Sequence, residues 1–420
     1  MDLQKPNRGL LCVFGLTFAA VSAFGQKTNI TGFADNSGGQ HVFYLDANQN
    51  LNQLFYVAGT SWEAQNLTST FGGNLPASLA ALTSFVDAAP GTGQHVFYID
   101  ANGHVNQFYY PGTGTTWIPQ DLTGTYGGTP AASTVSSLAG LSNSENGAEY
   151  VFYVDSNNHV DLLYYPGSGT TWFWEDLTAN FGGTTGSASS SLGAFEDFLG
   201  GEHVFYTDSN NHISQIYYPG SGTTWFAQDL TASFGGAPAT STSNLTAYLD
   251  AIGGQHVAYV DSNTHLSQLY YPGFGTAWVP QDLTATQGGN APGSTSKLAS
   301  YIDNDGLQHI AYIDGSGNVN QMYYPNTGTM WTVQNLTAIS AGSPAATSSA
   351  LVAFPPYFDF NMIGQHILYL DGNDNVNQVY YPFSGGPMWF WQNLSSYGGN
   401  APALRPVFSI STSNDSSQNQ

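Results

Sequence analysis

Seven tryptophans recur at intervals of 53 to 58 residues, and this repetition constrains the fold more than any other feature of the sequence. They are Trp62, Trp117, Trp172, Trp225, Trp278, Trp331 and Trp389. An aspartate recurs in the same seven units, at Asp46, Asp100, Asp155, Asp208, Asp261, Asp314 and Asp371. A fixed period of this length indicates a repeat architecture, in which each unit packs against its neighbours. The sequence therefore predicts one seven-unit domain.

Each unit contains four short runs rich in Val, Ile, Tyr, Phe and Thr, and turn residues separate the runs. In the second unit the runs are 79–85, 94–100, 104–110 and 116–123. No window of about 11–18 residues shows helical periodicity. Four-stranded sheets repeated radially around a channel form a β-propeller. We therefore predict an all-β, seven-bladed β-propeller with four antiparallel strands per blade.

The first 25 residues resemble a secretory signal peptide. Lys5 and Arg8 form a positive start, and the apolar run 9–24 follows them. This run is too short for a transmembrane helix, which needs about 20 residues. The pattern predicts removal of residues 1–25 and a secreted protein, either extracellular or periplasmic.

The propeller is predicted over residues 26–410. Two segments, 30–35 and 403–410, both resemble an inner strand, and either of them could close the ring. The polar residues 411–420 predict a disordered tail.

The charge balance narrows the set of partners. After removal of the signal peptide, all but one of the 28 carboxylates remain, whereas Lys27, Lys297 and Arg405 are the only cations. This balance repels nucleic-acid backbones and anionic lipid, so we expect no nucleic-acid partner and no membrane insertion. Cys12, the only cysteine, lies in the signal peptide, so no disulfide is expected. A charge-poor surface rich in Tyr, Trp and Asn suits neutral glycans, although it can also serve solubility alone.

Two repeat positions account for all ten histidines. Six open the second strand of a blade: His41, His95, His203, His256, His309 and His366. Four stand at the turn into the third strand: His104, His159, His212 and His265. A catalytic triad or a zinc site needs an asymmetric cluster, and none is visible. We therefore predict no catalytic residues, no metal site and no cofactor.

The recurring aspartate starts segments such as 46–50 and 371–375, which resemble the beginning of a calcium loop. Most copies have a single carboxylate and no late glutamate, so Ca²⁺ is the less favoured alternative. An Asx turn, in which the carboxylate accepts backbone N–H groups, explains the aspartate without metal.

A glutamine lies twelve residues after each opening histidine. These glutamines are Gln53, Gln107, Gln215, Gln268, Gln321 and Gln378. In the third unit, Tyr150 replaces the histidine and Leu162 replaces the glutamine. Because the two positions change together, the histidine and the glutamine are expected to serve one task.

The hairpin between the second and third strands determines whether the pair can meet. A three-residue loop ending in a left-handed Gly103 pairs His95 with Tyr109 and Phe97 with Gln107. His95 and Gln107 then lie on one face as diagonal neighbours. Five units have Gly, Asn or Asp at this position, which tolerate a left-handed conformation: Gly103, Asn158, Asn211, Gly317 and Asp374. Gln49 and Thr264, in the other two units, suit this conformation poorly.

The predicted sugar contacts are the six His–Gln pairs, the seven tryptophans and five third-strand tyrosines: Tyr109, Tyr217, Tyr270, Tyr323 and Tyr380. An imidazole, an amide and an aromatic ring together suit sugar hydroxyls and C–H faces. A histidine that bonds only to its glutamine would be an ordinary internal pair instead. One tryptophan per blade is more often a wedge between blades than a ligand plate. The residues alone leave these alternatives open.

The blade motif, for example "QHVFYIDANGHVNQFYY" followed by Trp117, resembles that of the fucose-binding β-propeller lectins, the Aleuria-type fungal family and its seven-bladed bacterial relatives. In that family an arginine on the second strand and a glutamate on the third bind the sugar, and aromatic residues flank it between blades. His95 falls at the arginine position and Gln107 at the glutamate position. The resemblance implies a propeller with sugar sites between its blades.

These observations predict a secreted, multivalent, lectin-like protein that binds glycans, with fucose or a similar neutral sugar as ligand. The alternative is a structural or protein-binding propeller without a small-molecule site. A glycan-active hydrolase is less favoured, since it needs an asymmetric acid pair. The sequence leaves the oligomeric state open.

Overall fold

The structure is a computed structural model that describes residues 30–397 except 36, 47, 57–60, 88–91, 242–244, 326–329, 355–363 and 383–387. The predicted signal peptide, the candidate strand 403–410 and the predicted tail lie outside the described residues.

Seven four-stranded antiparallel sheets form the seven blades, which confirms the predicted fold. Blade 1 contains β1 (Ile30–Ala34), β2 (Gln40–Leu45), β3 (Leu51–Tyr56) and β4 (Trp62–Asn66). Blade 2 contains β5 (Leu82–Val86), β6 (Gln94–Ile99), β7 (Val105–Tyr110) and β8 (Ile118–Asp121). Blade 3 contains β9 (Leu138–Ser142), β10 (Glu149–Val154), β11 (Val160–Tyr165) and β12 (Phe173–Asp176). Blade 4 contains β13 (Leu192–Glu196), β14 (Glu202–Thr207), β15 (Ile213–Tyr218) and β16 (Phe226–Asp229).

The remaining three blades repeat this order. Blade 5 contains β17 (Leu245–Leu249), β18 (Gln255–Val260), β19 (Leu266–Tyr271) and β20 (Val279–Asp282). Blade 6 contains β21 (Leu298–Ile302), β22 (Gln308–Ile313), β23 (Val319–Tyr324) and β24 (Thr332–Asn335). Blade 7 contains β25 (Leu351–Phe354), β26 (Gly364–Leu370), β27 (Val376–Pro382) and β28 (Phe390–Asn393).

A five-residue helix follows the fourth strand in blades 1 to 6, and the sequence did not reveal it. The helices are α1 (Leu67–Phe71), α2 (Leu122–Tyr126), α3 (Leu177–Phe181), α4 (Leu230–Phe234), α5 (Leu283–Gln287) and α6 (Leu336–Ser340); a 3₁₀ turn, Leu394–Tyr397, follows blade 7. The residue before each helix is Asp or Asn, and its side chain caps the helix; Asp121 Oδ1, for example, accepts the Gly124 N–H at 2.7 Å. In the described part of the chain, none of the helices has the length and apolar character needed to cross a bilayer.

The N-terminal segment supplies the inner strand of blade 1. Strand β1 pairs with β2 and packs against β5 of blade 2 and β25 of blade 7, so the ring closes by packing between blades 7 and 1. Each of the seven sheets is therefore formed by one contiguous stretch of chain.

The predicted hairpin register is confirmed. His95 pairs with Tyr109, Phe97 pairs with Gln107, and Gly103 has a φ of 81°. The recurring aspartate forms the expected Asx turn: Asp100 Oδ1 accepts the backbone N–H groups of Asn102 at 2.8 Å and His104 at 3.0 Å. The same carboxylate arrangement recurs in the other blades.

Gln49 and Thr264 adopt the left-handed conformation despite their poor suitability, with φ of 64° and 61°. A β-branched residue is strained there, at a cost of order 1–3 kcal/mol. Replacing Thr264 by glycine is therefore expected to raise the free energy of unfolding by about 1 kcal/mol, measured by urea denaturation. Gly317→Thr, the reverse change in blade 6, should lower it by more than this, because a Cβ there would also lie 2.6 Å from the backbone oxygen of Ala345. An unchanged midpoint in both variants would contradict the assigned turn.

Candidate functional site between the blades

The six predicted His–Gln pairs all meet. The histidine Nδ1 lies 2.7–3.4 Å from the glutamine side chain in every pair. The histidines are 1–7% exposed and the glutamines 0–2% exposed. Each pair is thus a buried internal hydrogen bond, and any contact with a ligand would involve only the edges of these side chains.

The other imidazole nitrogen bonds to an aspartate that the sequence analysis missed. His41 Nε2 lies 3.0 Å from Asp35 Oδ2, at the end of the inner strand. The same contact, at 3.0–3.2 Å, joins His95, His203, His256 and His309 to Asp87, Asp197, Asp250 and Asp303. The signal for this partner was an aromatic-x-Asp motif that follows the inner strand in five of the seven units, as in Phe33-Ala34-Asp35.

A second glutamine, on the fourth strand, extends the chain of bonds across the blade. In blade 1, Gln65 Nε2 donates to Gln53 Oε1 at 2.5 Å. In blade 2, Gln107 donates to Gln120. In blade 1 the order Asp–His–Gln–Gln therefore runs from the end of the inner strand to the fourth strand, and its two ends, Asp35 and Gln65, approach solvent. In blades 5 and 6 the corresponding aspartates, Asp250 and Asp303, are buried.

Two aromatic rings sandwich each imidazole. His256 stacks between Tyr248 and Tyr270, with both pairs of ring centroids 4.6 Å apart. Tyr109, Tyr217, Tyr323 and Tyr380 cover the third-strand side of their histidines in the same way, at 4.8–6.1 Å. Four of the five predicted tyrosines are half-buried, whereas Tyr380 is buried. The half-buried rings leave part of their surface toward the cleft.

Five of the six histidines directly follow a glutamine, whereas His203 follows Glu202. In blades 1, 2, 6 and 7 this glutamine points the other way and contacts the preceding blade. Gln365 Nε2 donates to Asp303 Oδ2 at 3.1 Å, and Tyr301 donates to Gln365 Oε1 at 2.9 Å. Gln378 Nε2 donates to Gln40 Oε1 at 3.1 Å, which bonds blade 7 to blade 1. The Gln-His dipeptide thus forms bonds within one blade and to its neighbour.

A cavity of about 430 Å³ lies between blades 1 and 2. Asp35, His41 and Phe55 line its blade 1 side, and Tyr110 and Trp117 line its blade 2 side. This volume falls within the range of about 300–1,000 Å³ typical of small-molecule sites. The cavity combines aromatic surface with a few convergent polar groups, as the predicted sites require.

The tryptophans occupy the space between blades. All seven are 4–8% exposed. Trp172 of blade 3 meets Phe97 of blade 2 edge to face, with ring centroids 6.0 Å apart, and Trp117, Trp225 and Trp278 repeat this contact. Each ring therefore packs between adjacent blades and offers a ligand at most a small part of its surface.

One cleft contains an asymmetric cluster of titratable groups that the sequence did not reveal. Glu149 replaces the usual glutamine, and its Oε2 lies 3.2 Å from His95 Nδ1, while Asp87 lies 3.1 Å from Nε2. Burial lowers the pKa of His95, but the hydrogen bond with Asp87 and the charge of Glu149 outweigh it, so the pKa is raised. Burial raises the pKa of Glu149 to about 7, against the opposing effect of His95.

The Glu149 carboxyl makes stability depend on pH. Because its pKa is raised in the folded protein, the folded state holds a proton that the unfolded state has lost between about pH 4.5 and 7. Stability should therefore fall as pH rises through this window. Glu149→Gln is expected to be more stable than the parent by about 2 kcal/mol at pH 8 and nearly equal to it at pH 4.5, measured by thermal unfolding. Gln94→Glu, the converse change in blade 2, should introduce a similar slope. If the stability of Glu149→Gln changed with pH in parallel with that of the parent, the raised pKa of Glu149 would be contradicted.

No protein-family model matches the sequence, and no curated protein matches it significantly. Solved structures match its fold. The BP39L lectin from Burkholderia pseudomallei superposes with a TM-score of 0.66 at 16% identity, covering 87% of this chain and all of the lectin. AofleA from Arthrobotrys oligospora gives 0.54 at 9% identity, covering 88% and 87% of the two chains.

A variant of the Aleuria aurantia lectin, solved in complex with Fucα1-6GlcNAc, gives a TM-score of 0.53 at 13% identity and covers 91% of this chain and 99% of its own. At these identities the likeness concerns the fold alone. The resemblance to the fucose-binding β-propeller lectins indicated by the blade motif is thus confirmed as a shared propeller fold.

Proposed function

We propose that this protein is a secreted, multivalent carbohydrate-binding propeller whose inter-blade clefts hold a neutral sugar such as fucose. The observation that carries the proposal is the cavity between blades 1 and 2, where aromatic surface and the Asp–His–Gln–Gln chain meet. The lectins of the same fold support it, because one of them was solved with a fucose-containing disaccharide.

Within this cleft, we assign the polar contacts to the two ends of the bonded chain. The Asp35 side chain is 19% exposed, and Gln65 is half-buried, so both can reach sugar hydroxyls. His41 and Gln53 lie behind them and fix their orientation, and their exposed edges complete the contact. Phe55 stacks toward His41 and offers its outer face to the C–H groups of a sugar.

Among the residues that the structure describes, the polar groups of these clefts include no arginine. Asp35 can accept one charge-assisted hydrogen bond, but the amide of Gln65 offers only neutral ones, which are roughly half as strong, so each site should bind weakly. Six repeated clefts would then act together on a glycan-bearing surface, where avidity can exceed single-site affinity by about 10²–10⁴.

A glycan array tests this proposal. The full chain should bind immobilised neutral glycans, with fucosides among them, and a free monosaccharide should compete only at high concentration. Phe55→Ala removes the aromatic ring that would pack on the sugar in the blade 1 cleft, and it is expected to lower the array signal several-fold. Phe274→Ala, a change at a side chain that is 76% exposed, is the matched control and should leave the signal unchanged. A folded protein that binds no glycan even at high density would overturn the proposal.

A structural or protein-binding propeller is the second candidate, because the His–Gln pairs are buried and bonded to each other. It would be favoured if the array stays empty while the variants of these pairs lose stability. We do not propose an enzyme. Asp87 and Glu149 approach each other in the second cleft, but the His95 imidazole lies between them. Chromogenic glycosides should therefore be left intact.

A further inference from the structure

Blade 3 differs from its neighbours at one buried position. Asp161 is the second residue of the third strand, where the other blades have an uncharged residue: Asn52, Asn106, Ser214, Ser267, Asn320 and Asn377. It also faces Asp176 in the strand register. A carboxylate thus stands where the repeat otherwise has an amide or a hydroxyl.

Blade 2 shows what the uncharged version of this position does. The amide nitrogen of Asn74 donates to Asp100 Oδ2 at 3.0 Å, to Asn106 Oδ1 at 3.1 Å and to Asp121 Oδ2 at 3.3 Å. Three oxygens from the Asx turn, the third strand and the helix cap therefore converge on a single donor, and the polar group at their centre is satisfied.

In blade 3 all three converging positions are carboxylates, and the amide of Asn74 has no counterpart. Asp155, Asp161 and Asp176 correspond to Asp100, Asn106 and Asp121, and Thr129, which has no amide, follows the Gly-Gly pair where Asn74 does in blade 2. Asp155 and Asp161 are both 0% exposed. Burying carboxylates without compensating charge is costly, so the site needs a cation or a proton.

The contacts of Asp161 leave one oxygen open. Trp174 Nε1 donates to Asp161 Oδ2 at 2.7 Å, but the buried Asp161 Oδ1 has no hydrogen-bond partner among the described residues. The ligand atoms of Asp155, His159 and Asp176 lie within 4.8 Å of one another. His159 Nδ1 contacts Asp176 Oδ2 at 2.8 Å.

The electrostatics agree with this geometry. Burial raises the pKa of Asp161 to about 7, against the hydrogen bond from Trp174, and the charges of Asp155 and Asp176 raise it further. Blades 4 and 5 avoid the problem, because Ser214 and Ser267 donate hydroxyl hydrogen bonds to the turn aspartate.

We infer that blade 3 contains one divalent-cation site, formed by the carboxylates of Asp155, Asp161 and Asp176 and the imidazole of His159. Carboxylate oxygens suit Mn²⁺ and Ca²⁺, and an imidazole suits Zn²⁺, so a mixed site favours Mn²⁺ or Zn²⁺ over Ca²⁺, which prefers six to eight oxygens. Blade 3 is also the blade without a His–Gln pair. The cation would link the turn, the third strand and the helix cap of blade 3, and so stabilise the sheet that lacks the Asp–His–Gln–Gln chain.

Calorimetric titration of the chelator-treated full chain with MnCl₂, ZnCl₂ and CaCl₂ tests the site, together with thermal unfolding. One equivalent of Mn²⁺ or Zn²⁺ should bind and raise Tm. Asp161→Asn should weaken binding at least tenfold; it should fold normally, because four other blades carry asparagine there. Ser214→Asp recreates the cluster in blade 4, where Thr184 matches Thr129, and should raise the stoichiometry from one to two.

The opposing results are distinct. Failure of all three cations to bind would overturn the inference, and a rise in Tm of Asp161→Asn without metal would then identify Asp161 as a protonated carboxyl. Binding of about four equivalents that Asp161→Asn leaves unchanged would also overturn it, because the half-exposed Asp–His pairs of blades 2 to 5 would be the sites.

Discussion

Replacing His95 by leucine is expected to lower the free energy of unfolding by about 3–5 kcal/mol, the cost of removing one partner from a buried charged group. His95 is 1% exposed and contacts Asp87, Gln107 and Glu149 at 3.1–3.3 Å. Leucine fills part of the space but leaves two carboxyl groups and one amide facing an apolar side chain. Urea denaturation followed by tryptophan fluorescence measures the loss.

His366→Leu is the matched control. His366 has the same aromatic sandwich, between Phe354 and Tyr380, and the same bond to its glutamine, at 2.8 Å to Gln378. Burial lowers its pKa to about 3, so this imidazole is neutral. Its loss should cost about 1–3 kcal/mol, the penalty for one unsatisfied buried group. Equal losses in the two variants would mean that packing, rather than charge, makes His95 important.

The pH dependence gives a second test of His95. Because the pKa of His95 is raised in the folded protein, its contribution is fully present below the unfolded value of about 6.5 and is lost as pH rises through the folded pKa. The difference in stability between the parent and His95→Leu should therefore be largest in mildly acidic buffer and shrink toward alkaline pH. A difference that grows with pH would contradict the protonated imidazole.

Trp172→Ala is expected to cost about 3–5 kcal/mol of stability, as is usual for a fully buried tryptophan. The ring is 5% exposed and packs in one cluster with Phe97 and Val151, across the boundary between blades 2 and 3. Truncation would open a cavity between two sheets. Because the buried ring offers a ligand at most a small part of its surface, glycan binding per folded molecule should change little.

Phe173→Ala is the control for the tryptophan. This neighbour is 45% exposed, and its ring stacks on Tyr164 at 5.3 Å. Its removal should change stability by less than about 1 kcal/mol, as is common for surface positions. If Trp172→Ala leaves Tm unchanged but abolishes glycan binding, the ring contacts the ligand, and its assignment as a packing residue between blades is wrong.

The sequence predicted the features that depend on local patterns. The repeat determined the blade count, and one turn length determined that His95 and Gln107 share a face, since a shift of one residue reverses every side chain. The turn conformation held even at Thr264, because tertiary packing outweighs the preference of a single residue. The short helices escaped notice, because five residues are too few to establish a period.

Contacts between elements with variable connections could not be predicted. The aspartate precedes its histidine by six residues in four blades but by eight in blade 2, where Asp87 precedes His95, so the longer connection hid a pattern that the other blades share. The approach of Glu149 to His95 depends on how two blades pack, which no strand pattern encodes. Asp155, Asp161 and Asp176 likewise come together only when the turn, the strand and the helix cap are brought together.

Over residues 30–397, each sheet is one contiguous segment of chain, and the first and last blades meet by packing rather than by sharing a sheet. A gene encoding such units can gain or lose a blade by recombination in a linker without cutting a single hydrogen-bonded ladder. The same property makes the linkers natural positions for new termini in circular permutants. It also lets one copy, as in blade 3, acquire a different set of side chains while six others preserve the original set.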